Sequence, residues 1–335
     1  MGKGKRFTKV LVIILCLLVI VVGATVIWAY NLLNKVQHVP LVDEDKTKSD
    51  AKPVVLTPKD LGVKEDAPKP KVTGVVNVLL FGLDGREEGQ KSRSDSIMIV
   101  TLDGKHKNIK LTSLMRDMYV PIPEREDNRI NAAYAFGGPA LAIRTVNEDF
   151  DMNIEKYVTV DFFSLEKVID KLGGVEIEIK DYEINHLNGL IQGLNGLNKN
   201  ENKAALIESL GVHRLNGRQA VAYSRIRKVG NADYERTDRQ RRVLEALIKE
   251  MTSIEVWELP SVLSTILPEV ETNFTANELM KLGYTGLECA NNGVKQLRLP
   301  YNDTYTSERI RGMSVLVPDL EKNKEILHKF IYEND

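Results

Sequence analysis

The stretch that decides the fold lies between residues 75 and 114. It reads VVNVLLF (75–81), GLDGREEGQKSRSD (82–95) and SIMIVTL (96–102), followed after a short polar interruption by IKLTSL (109–114). Three apolar runs rich in β-branched residues, with little polar alternation, predict strands covered on both faces. The polar segment between the first two carries Asp84, Arg86, Arg93 and Asp95 at the mouth of those strands. A solvated loop needs no such balance of carboxylates and guanidiniums, so other parts of the chain should converge there.

Downstream the pattern continues as α/β. Pro139, after Gly137 and Gly138, suits the first turn of a helix through ALAIRTVNEDF. KYVTV reads as a strand, Asp161 as the cap of a helix over FFSLEKVIDKL that stops at Gly173 and Gly174, and VEIEI as another strand. Residues 182–212 form a polar, Asn-rich, Leu-spotted insertion with no clear assignment. AVAYSRIR (220–227) reads as a strand, and YERTDRQRRVLEALIKEM as a long helix. The expectation is one folded domain over residues 73–335, a central mixed β-sheet flanked by helices.

Upstream, residues 10–34 contain no charged side chain and residues 10–30 are nearly all apolar. At 1.5 Å per residue such a run crosses a hydrocarbon core of about 30 Å. Lys3, Lys5, Arg6 and Lys9 precede it, whereas Asp43, Glu44 and Asp45 soon follow Lys35, so the basic end should stay in the cytoplasm. The run is long for a cleaved signal peptide and lacks a small-x-small cleavage site, and no small residue just precedes Cys16 as a lipoprotein site would need. The expected layout is a cytoplasmic tail (1–9), a transmembrane signal anchor (10–32), a Lys-, Asp-, Pro- and Thr-rich tether (33–72) and an extracellular domain: a single-pass type II protein of the cell membrane. The tail is too short for a cytosolic domain, which argues against a transcriptional regulator.

Composition narrows the chemistry. With 335 residues and a net charge of −1, no global field points to nucleic acid. Cys16 and Cys289 suggest no disulfide framework. The five histidines show no HExxH or paired spacing, which disfavours zinc. No G-x-S-x-G elbow is present, and the early GKGK belongs to the basic flank and is no P-loop, so no nucleotide is expected.

The densest cluster of charge is YSRIRKVGNADYERTDRQRR (223–242). On a strand, Arg225 and Arg227 would share one face with Val221 and Tyr223. In the helix that follows, the stripe Val243, Leu244, Leu247, Ile248 and Met251 extends backwards to Gln240 and Arg236. An inward Arg needs a partner or a ligand. Arg239 and Arg242 have Glu235 and Asp238 four residues earlier, so surface pairing accounts for them, and Arg241 reads as solvated. Several guanidiniums at a helix N-terminus suggest an anion, and Arg in place of Lys suggests bidentate phosphate binding. Arg116 and Asp117, in SLMRD, end the third apolar strand, and ligands gather beyond the carboxyl ends of parallel strands. The aspartates either orient these guanidiniums or hold Mg2+, which takes one or two carboxylates plus phosphate oxygens.

Four separated blocks, NVLLFGLDGR with RSDS, SLMRD, RINAAYAFGG, and LNGRQAVAYSRIR leading to DYERTDRQ, together resemble the LytR–CpsA–Psr family of bacterial cell-wall proteins. The resemblance covers residues 76 to 335 and the tail–anchor–tether layout. It implies an α/β sandwich with a lipid pocket and a phosphotransferase that moves an anionic glycopolymer, teichoic acid or capsular polysaccharide, from a polyprenyl-pyrophosphate carrier onto peptidoglycan hydroxyls. It further implies Mg2+, with Mn2+ as a substitute, on Asp84 and Asp95, and catalysis by these aspartates with Arg93 and Arg116. Pyrophosphate would be bound by Arg93, Arg116, Arg225, Arg227, Arg236 and Gln240, with lesser roles for Arg86, Asp117 and Arg239. NADYER near Asp233 departs from the family's more Gly-rich run. The rival readings are a polyprenyl-pyrophosphate hydrolase and a non-catalytic lipid-glycan scaffold.

Overall fold

The apolar runs around the charged loop form the centre of a seven-stranded sheet. In the computed structural model, which describes residues 30–43, 53–68, 74–83, 94–197, 203–227, 229–230, 233–255, 257–290 and 292–333, its strands are β1 (Gln37–His38), β2 (Val75–Leu83), β3 (Ser94–Asp103), β4 (Asn108–Leu114), β7 (Lys156–Asp161), β10 (Glu271–Thr272) and β11 (Val294–Leu299). Their order is β1-β10-β7-β2-β3-β4-β11. β3 is antiparallel to both β2 and β4, while β2 pairs parallel with β7 and β4 with β11, so the sheet is mixed. The tail, residues 10–29 of the expected anchor, and Asp84, Arg86 and Arg93 lie outside the described residues. Among the described residues no helix is long and apolar enough to cross a membrane.

Side chains alternate across the sheet. Leu79, Phe81, Ile97 and Ile99 face α1 (Asn131–Phe150) and α8 (Leu320–Tyr332) in one packed core. Complete burial of each such side chain contributes roughly 1.5–3 kcal/mol. Val78, Leu80, Val100 and Leu102 face the other way, towards α2 (Phe162–Lys171), α5 (Asp233–Ser253), α6 (Leu259–Ile266) and α7 (Ala276–Ala290), and on this side the layers do not close. Within α1 the backbone leaves helical geometry at Gly137 and Gly138, and Pro139 opens its second segment. Asp161 caps α2 by accepting from the Ser164 N–H at 2.7 Å.

Three expectations are corrected. AVAYSRIR is not a strand: residues 217–224 form α4 (Gly217–Ser224), flanked by the helix α3 (Asp181–Leu197). Its β-branched and aromatic residues suggested a strand, but Asn216 and Gln219 form a reciprocal capping box, with both side-chain–backbone bonds at 2.9 Å, and every residue of α4 is buried. The insertion at 182–212 is largely ordered as α3 and β9 (Gly211–Leu215), which pairs with β8 (Val175–Ile179), the VEIEI strand, outside the main sheet. Its asparagines have a structural use. Asn195 exchanges two hydrogen bonds of 2.9 Å with the backbone of Ala204, and Asn188 does the same with Ile207 at 2.8 and 2.9 Å.

The described parts of the stretch expected to be a tether also pack. β1 extends the sheet edge, Leu41 and Leu61 are buried in the main core, and the Leu61 carbonyl accepts from Asn147 Nδ2 at 2.7 Å. The mean polarity of residues 33–72 hid a few apolar side chains that need only an existing surface to dock on. The folded unit therefore begins before residue 73.

Candidate active site

β2, β4, β7 and β11 all point their carboxyl ends to the same edge of the sheet, and β3 starts there. Leu83 pairs with Ser94 across the ladder, so the two ends of the charged loop meet. Asp95, the second residue of β3, accepts from Arg116 Nη1 at 2.6 Å, just past the end of β4. Asp117, the next residue, approaches Arg116 Nε at 3.5 Å and Arg129 Nε at 3.2 Å. Arg129 belongs to β6 (Asn128–Arg129), which pairs with β5 (Tyr119–Val120).

Asp233, the first residue of α5, is the hub on the opposite wall. It lies 3.2 Å from Arg236 Nη2, 3.3 Å from Arg227 Nε and 3.9 Å from Arg116 Nη2. Arg116, Asp117, Arg129, Arg227, Asp233 and Tyr234 line a cavity of about 400 Å3. Four guanidiniums thus meet three carboxylates, an excess of positive charge suited to an anion.

The energetics sharpen this. Nε of Arg236 is buried without a hydrogen-bond partner, and Nε of Arg116 and Arg129 are buried with an ion-pair contact to Asp117 but no hydrogen bond. Buried N–H groups left unsatisfied are costly, and oxyanions are the acceptors that would satisfy these. Burial, then the neighbouring Arg116, pulls the Arg236 pKa below its usual value. Burial also pulls on Arg116, but Asp117, Asp95 and Asp233 outweigh it and hold that pKa high. Burial raises the Asp117 carboxyl, Asp233 adds to the rise, and Arg116 and Arg129 only partly offset it.

Beside the charged cavity lies an apolar one of about 270 Å3 whose lining includes Ser96, Phe162, Ser224 and Gln240. Ser96 adjoins Asp95 in the chain and Gln240 lies one turn after Arg236 on α5, so this cavity borders the charged cluster. Arg225 stands over the Phe162 ring, 4.8 Å from its centroid, at that border. A third cavity of about 750 Å3 also has Leu80, Val158 and Leu244 in its wall, continuing the apolar space between the sheet and α5, α6 and α7.

Asp95, Arg116, Asp117, Arg227 and Arg236 are thus brought together, with Arg225 and Gln240 at the border. Arg225 and Arg227 follow the end of α4 and do not share a strand face. Arg239 belongs elsewhere: only 1 % exposed, it bonds Glu183 on α3 at 2.7 Å, Glu235 at 2.6 Å and the Ile226 carbonyl at 3.2 Å. Arg241, expected to be solvated, is buried against Ser113 and Gln296 at 2.9 Å each. Sequence reasoning missed Asp233 and Arg129 as site residues. The i, i+3 spacing of Asp233 to Arg236 at a helix start was the available signal for the first. Among the described residues no cluster of His, Cys, Asp and Glu is sufficient alone for a metal. Asp95 is nevertheless a partly exposed, hard oxygen donor beside a phosphate-sized cavity, the donor type that Mg2+ takes together with phosphate oxygens and water.

Comparison with known proteins adds to this geometry. The model of the LytR_cpsA_psr family matches residues 34–330. The chain is 32 % identical over 280 residues to the regulatory protein MsrR of Staphylococcus aureus, covering 82 % of this chain and 80 % of the relative. It is 29 % identical over 290 residues to the polyisoprenyl-teichoic acid–peptidoglycan teichoic acid transferase TagT of Bacillus subtilis, covering 84 % and 81 %. The solved structure of TagT bound to LI-WTA superposes with a TM-score of 0.63 at 25 % identity, over 80 % of this chain and 94 % of that one. A TagT structure with bound octaprenyl pyrophosphate shares the fold, with a TM-score of 0.59 at 24 % identity, over 80 % and 94 % of the two chains.

Proposed function

Since the chain belongs to the LytR–CpsA–Psr family, we propose that it is a phosphotransferase that moves an anionic glycopolymer from a polyprenyl-pyrophosphate carrier to a peptidoglycan hydroxyl. The observation that carries this reading is the junction of the arginine cluster, at Asp95 and Arg236, with apolar space that runs on between the sheet and α5, α6 and α7. That junction matches an amphiphile with a charged phosphate head and a long hydrocarbon tail. The name of TagT, which specifies a polyisoprenyl-linked donor and peptidoglycan, supports the same substrate classes.

In this reading Arg93, Arg116, Arg225, Arg227, Arg236 and Gln240 hold the pyrophosphate, and the apolar cavities hold the prenyl tail. Asp84 and Asp95 would hold Mg2+, which supplies further neutralisation of the pyrophosphate charge. The acceptor hydroxyl attacks the phosphorus attached to the glycan, the bond from that phosphorus to the bridging oxygen breaks, and polyprenyl phosphate leaves. A phosphodiester results. Charge grows on the leaving phosphate, and the arginines offset it without reorganising, the main source of catalysis in phosphoryl transfer. We assign the hydroxyl proton to Asp117, because it is a carboxylate lining the arginine cavity, where the reacting phosphate would sit, and burial and Asp233 raise its pKa. The domain acts outside the cell membrane, tethered as a single-pass type II protein.

The test incubates the full chain in detergent with a polyprenyl-pyrophosphate-linked glycan, Mg2+ and peptidoglycan. Glycan should become covalently attached to peptidoglycan, and both chelation and Arg116→Ala should abolish attachment. Release of glycan phosphate at the same rate with and without acceptor would instead identify a hydrolase. Binding of the donor without turnover would identify a scaffold.

A further inference from the structure

The larger apolar cavity reaches the surface at the end away from the arginines. Two of its lining residues on α7, Met280 and Tyr284, are 37 % and 68 % exposed. Just beyond that wall stand Trp257, 76 % exposed and two residues before the lining residue Leu259, and Leu287, 58 % exposed and next to the lining residue Gly286. Large exposed apolar side chains gathered around one opening are unusual on a monomeric soluble protein and mark an interaction surface. Their identity is informative as well: Tyr and Trp with aliphatic neighbours form the mixture that settles at the boundary between headgroups and acyl chains.

Two observations decide what covers this rim. First, Leu32 and Leu33 form part of the cavity wall, packed against Leu263 on α6 and Leu279 on α7. The residues immediately before them are the uncharged apolar run 10–30, so whatever solvates that run lies next to this opening. Second, the charged side chains beside the rim residues in the chain are of both signs, Glu255, Glu258 and Glu288 with the exposed Lys281, so no one-signed field draws an anionic surface and apolar contact is left as the attractive force.

We propose that Trp257, Met280, Tyr284 and Leu287 form a membrane-docking rim, and that the cavity opens through it into the bilayer. The prenyl tail then passes between bilayer and cavity without crossing water. The inference rests on reading the apolar cavity as the seat of a lipid tail. It adds a defined port and orientation: the arginine end faces away from the membrane, towards the acceptor.

The test uses the full chain with Trp28→Phe, leaving Trp257 as the only tryptophan, reconstituted in phosphatidylcholine bilayers brominated at different acyl depths. Trp257 fluorescence should be quenched most by bromines nearest the headgroups, and raised salt should not change this. Quenching by aqueous iodide with none by lipid bromine would overturn the proposal. Shielding from both would do so as well, and would indicate contact between copies of the chain. This readout needs no turnover, so it stands or falls separately from the transferase assignment. In a second arm, the double variant Trp257→Glu, Leu287→Glu, at two exposed rim residues outside the cavity lining, should slow transfer from a bilayer-embedded donor by about tenfold, as expected when interfacial anchors are lost, while leaving transfer from a water-soluble short-prenyl donor unchanged. Equal loss on both donors would reject the port.

Discussion

Arg236 and Arg239 sit one turn apart on α5 and serve opposite ends. Arg236 is buried beside Asp233 with Nε unsatisfied, a guanidinium held ready for an oxyanion. Arg236→Lys should keep the fold yet weaken binding of a polyprenyl pyrophosphate by roughly tenfold to a hundredfold, because an ammonium cannot reproduce the bidentate fork; titration calorimetry reads this directly. Arg239 is satisfied on all sides, and Arg239→Ala leaves the buried Glu183 without its guanidinium, with only the Lys180 N–H, among the described residues, still donating to it. That should cost about 3–5 kcal/mol in urea denaturation, with part recovered by adding Glu183→Gln. Helical periodicity could place Arg236 inward, since its neighbours on the stripe are apolar. It could not expose the role of Arg239, because Glu183 lies 56 positions away while Glu235 offers a sufficient local partner. Asp149 supplies a pH test. Burial, with Glu148 and Asp127 adding, pushes its carboxyl up to about 8. A raised folded-state pKa means that the folded chain keeps a proton the unfolded chain has released. The contribution is therefore complete below the unfolded pKa of about 4 and is lost as pH rises through 8. Thermal melts of Asp149→Asn should show less loss of stability across that window than the parent chain.

At the scale of elements, α4 decides where Arg225 and Arg227 stand. The run AVAYSRIR carries strand-forming residues, and local pattern alone placed both arginines on one strand face. What overrides it is a cap at Asn216, four positions before the run becomes apolar at Ala220, together with a close approach of the backbone. A Cβ on Gly217 would come within 2.0 Å of the Glu166 carbonyl oxygen, so only glycine lets α4 pack on α2. The two changes should rank accordingly. Asn216→Ala removes one capping bond and should cost about 1 kcal/mol. Gly217→Ala must displace backbone and should exceed it, at roughly 3 kcal/mol or more by analogy with overpacked cores. Chemical denaturation of the two variants settles the order. Both should also weaken phosphate binding, since the C-terminal end of α4 leads into Arg225. The central strands were legible because three runs buried on both faces admit few other readings. The order within residues 182–212 was not, because Asn188 and Asn195 act by copying backbone hydrogen bonds, which leaves no periodic trace in a sequence.

Across the whole molecule the sheet does two jobs with its two faces. The side with Leu79, Phe81, Ile97 and Ile99 is packed shut and carries the stability, whereas the side with Val78, Leu80, Val100 and Leu102 is left open as continuous apolar space. Empty volume of this kind costs packing energy, so a protein that keeps it gains elsewhere, and the arginine cavity at one end indicates where. Leu80 lines both apolar cavities and sits at their junction. Leu80→Trp should fill part of the void, leaving the melting temperature equal or higher. The same change should obstruct a long prenyl tail, whose burial is worth about 0.8 kcal/mol per CH2, and so lower affinity for a long-chain polyprenyl pyrophosphate by roughly a hundredfold. A soluble pyrophosphate donor with no prenyl tail, which makes no demand on the space beside Leu80, should bind the variant and the parent alike. Tail-dependent selectivity of that form ties head and tail sites into one ligand. Equal loss with and without the tail would mean that the substitution damages the arginine site from a distance. No loss for either would mean that the apolar space is not where the tail goes.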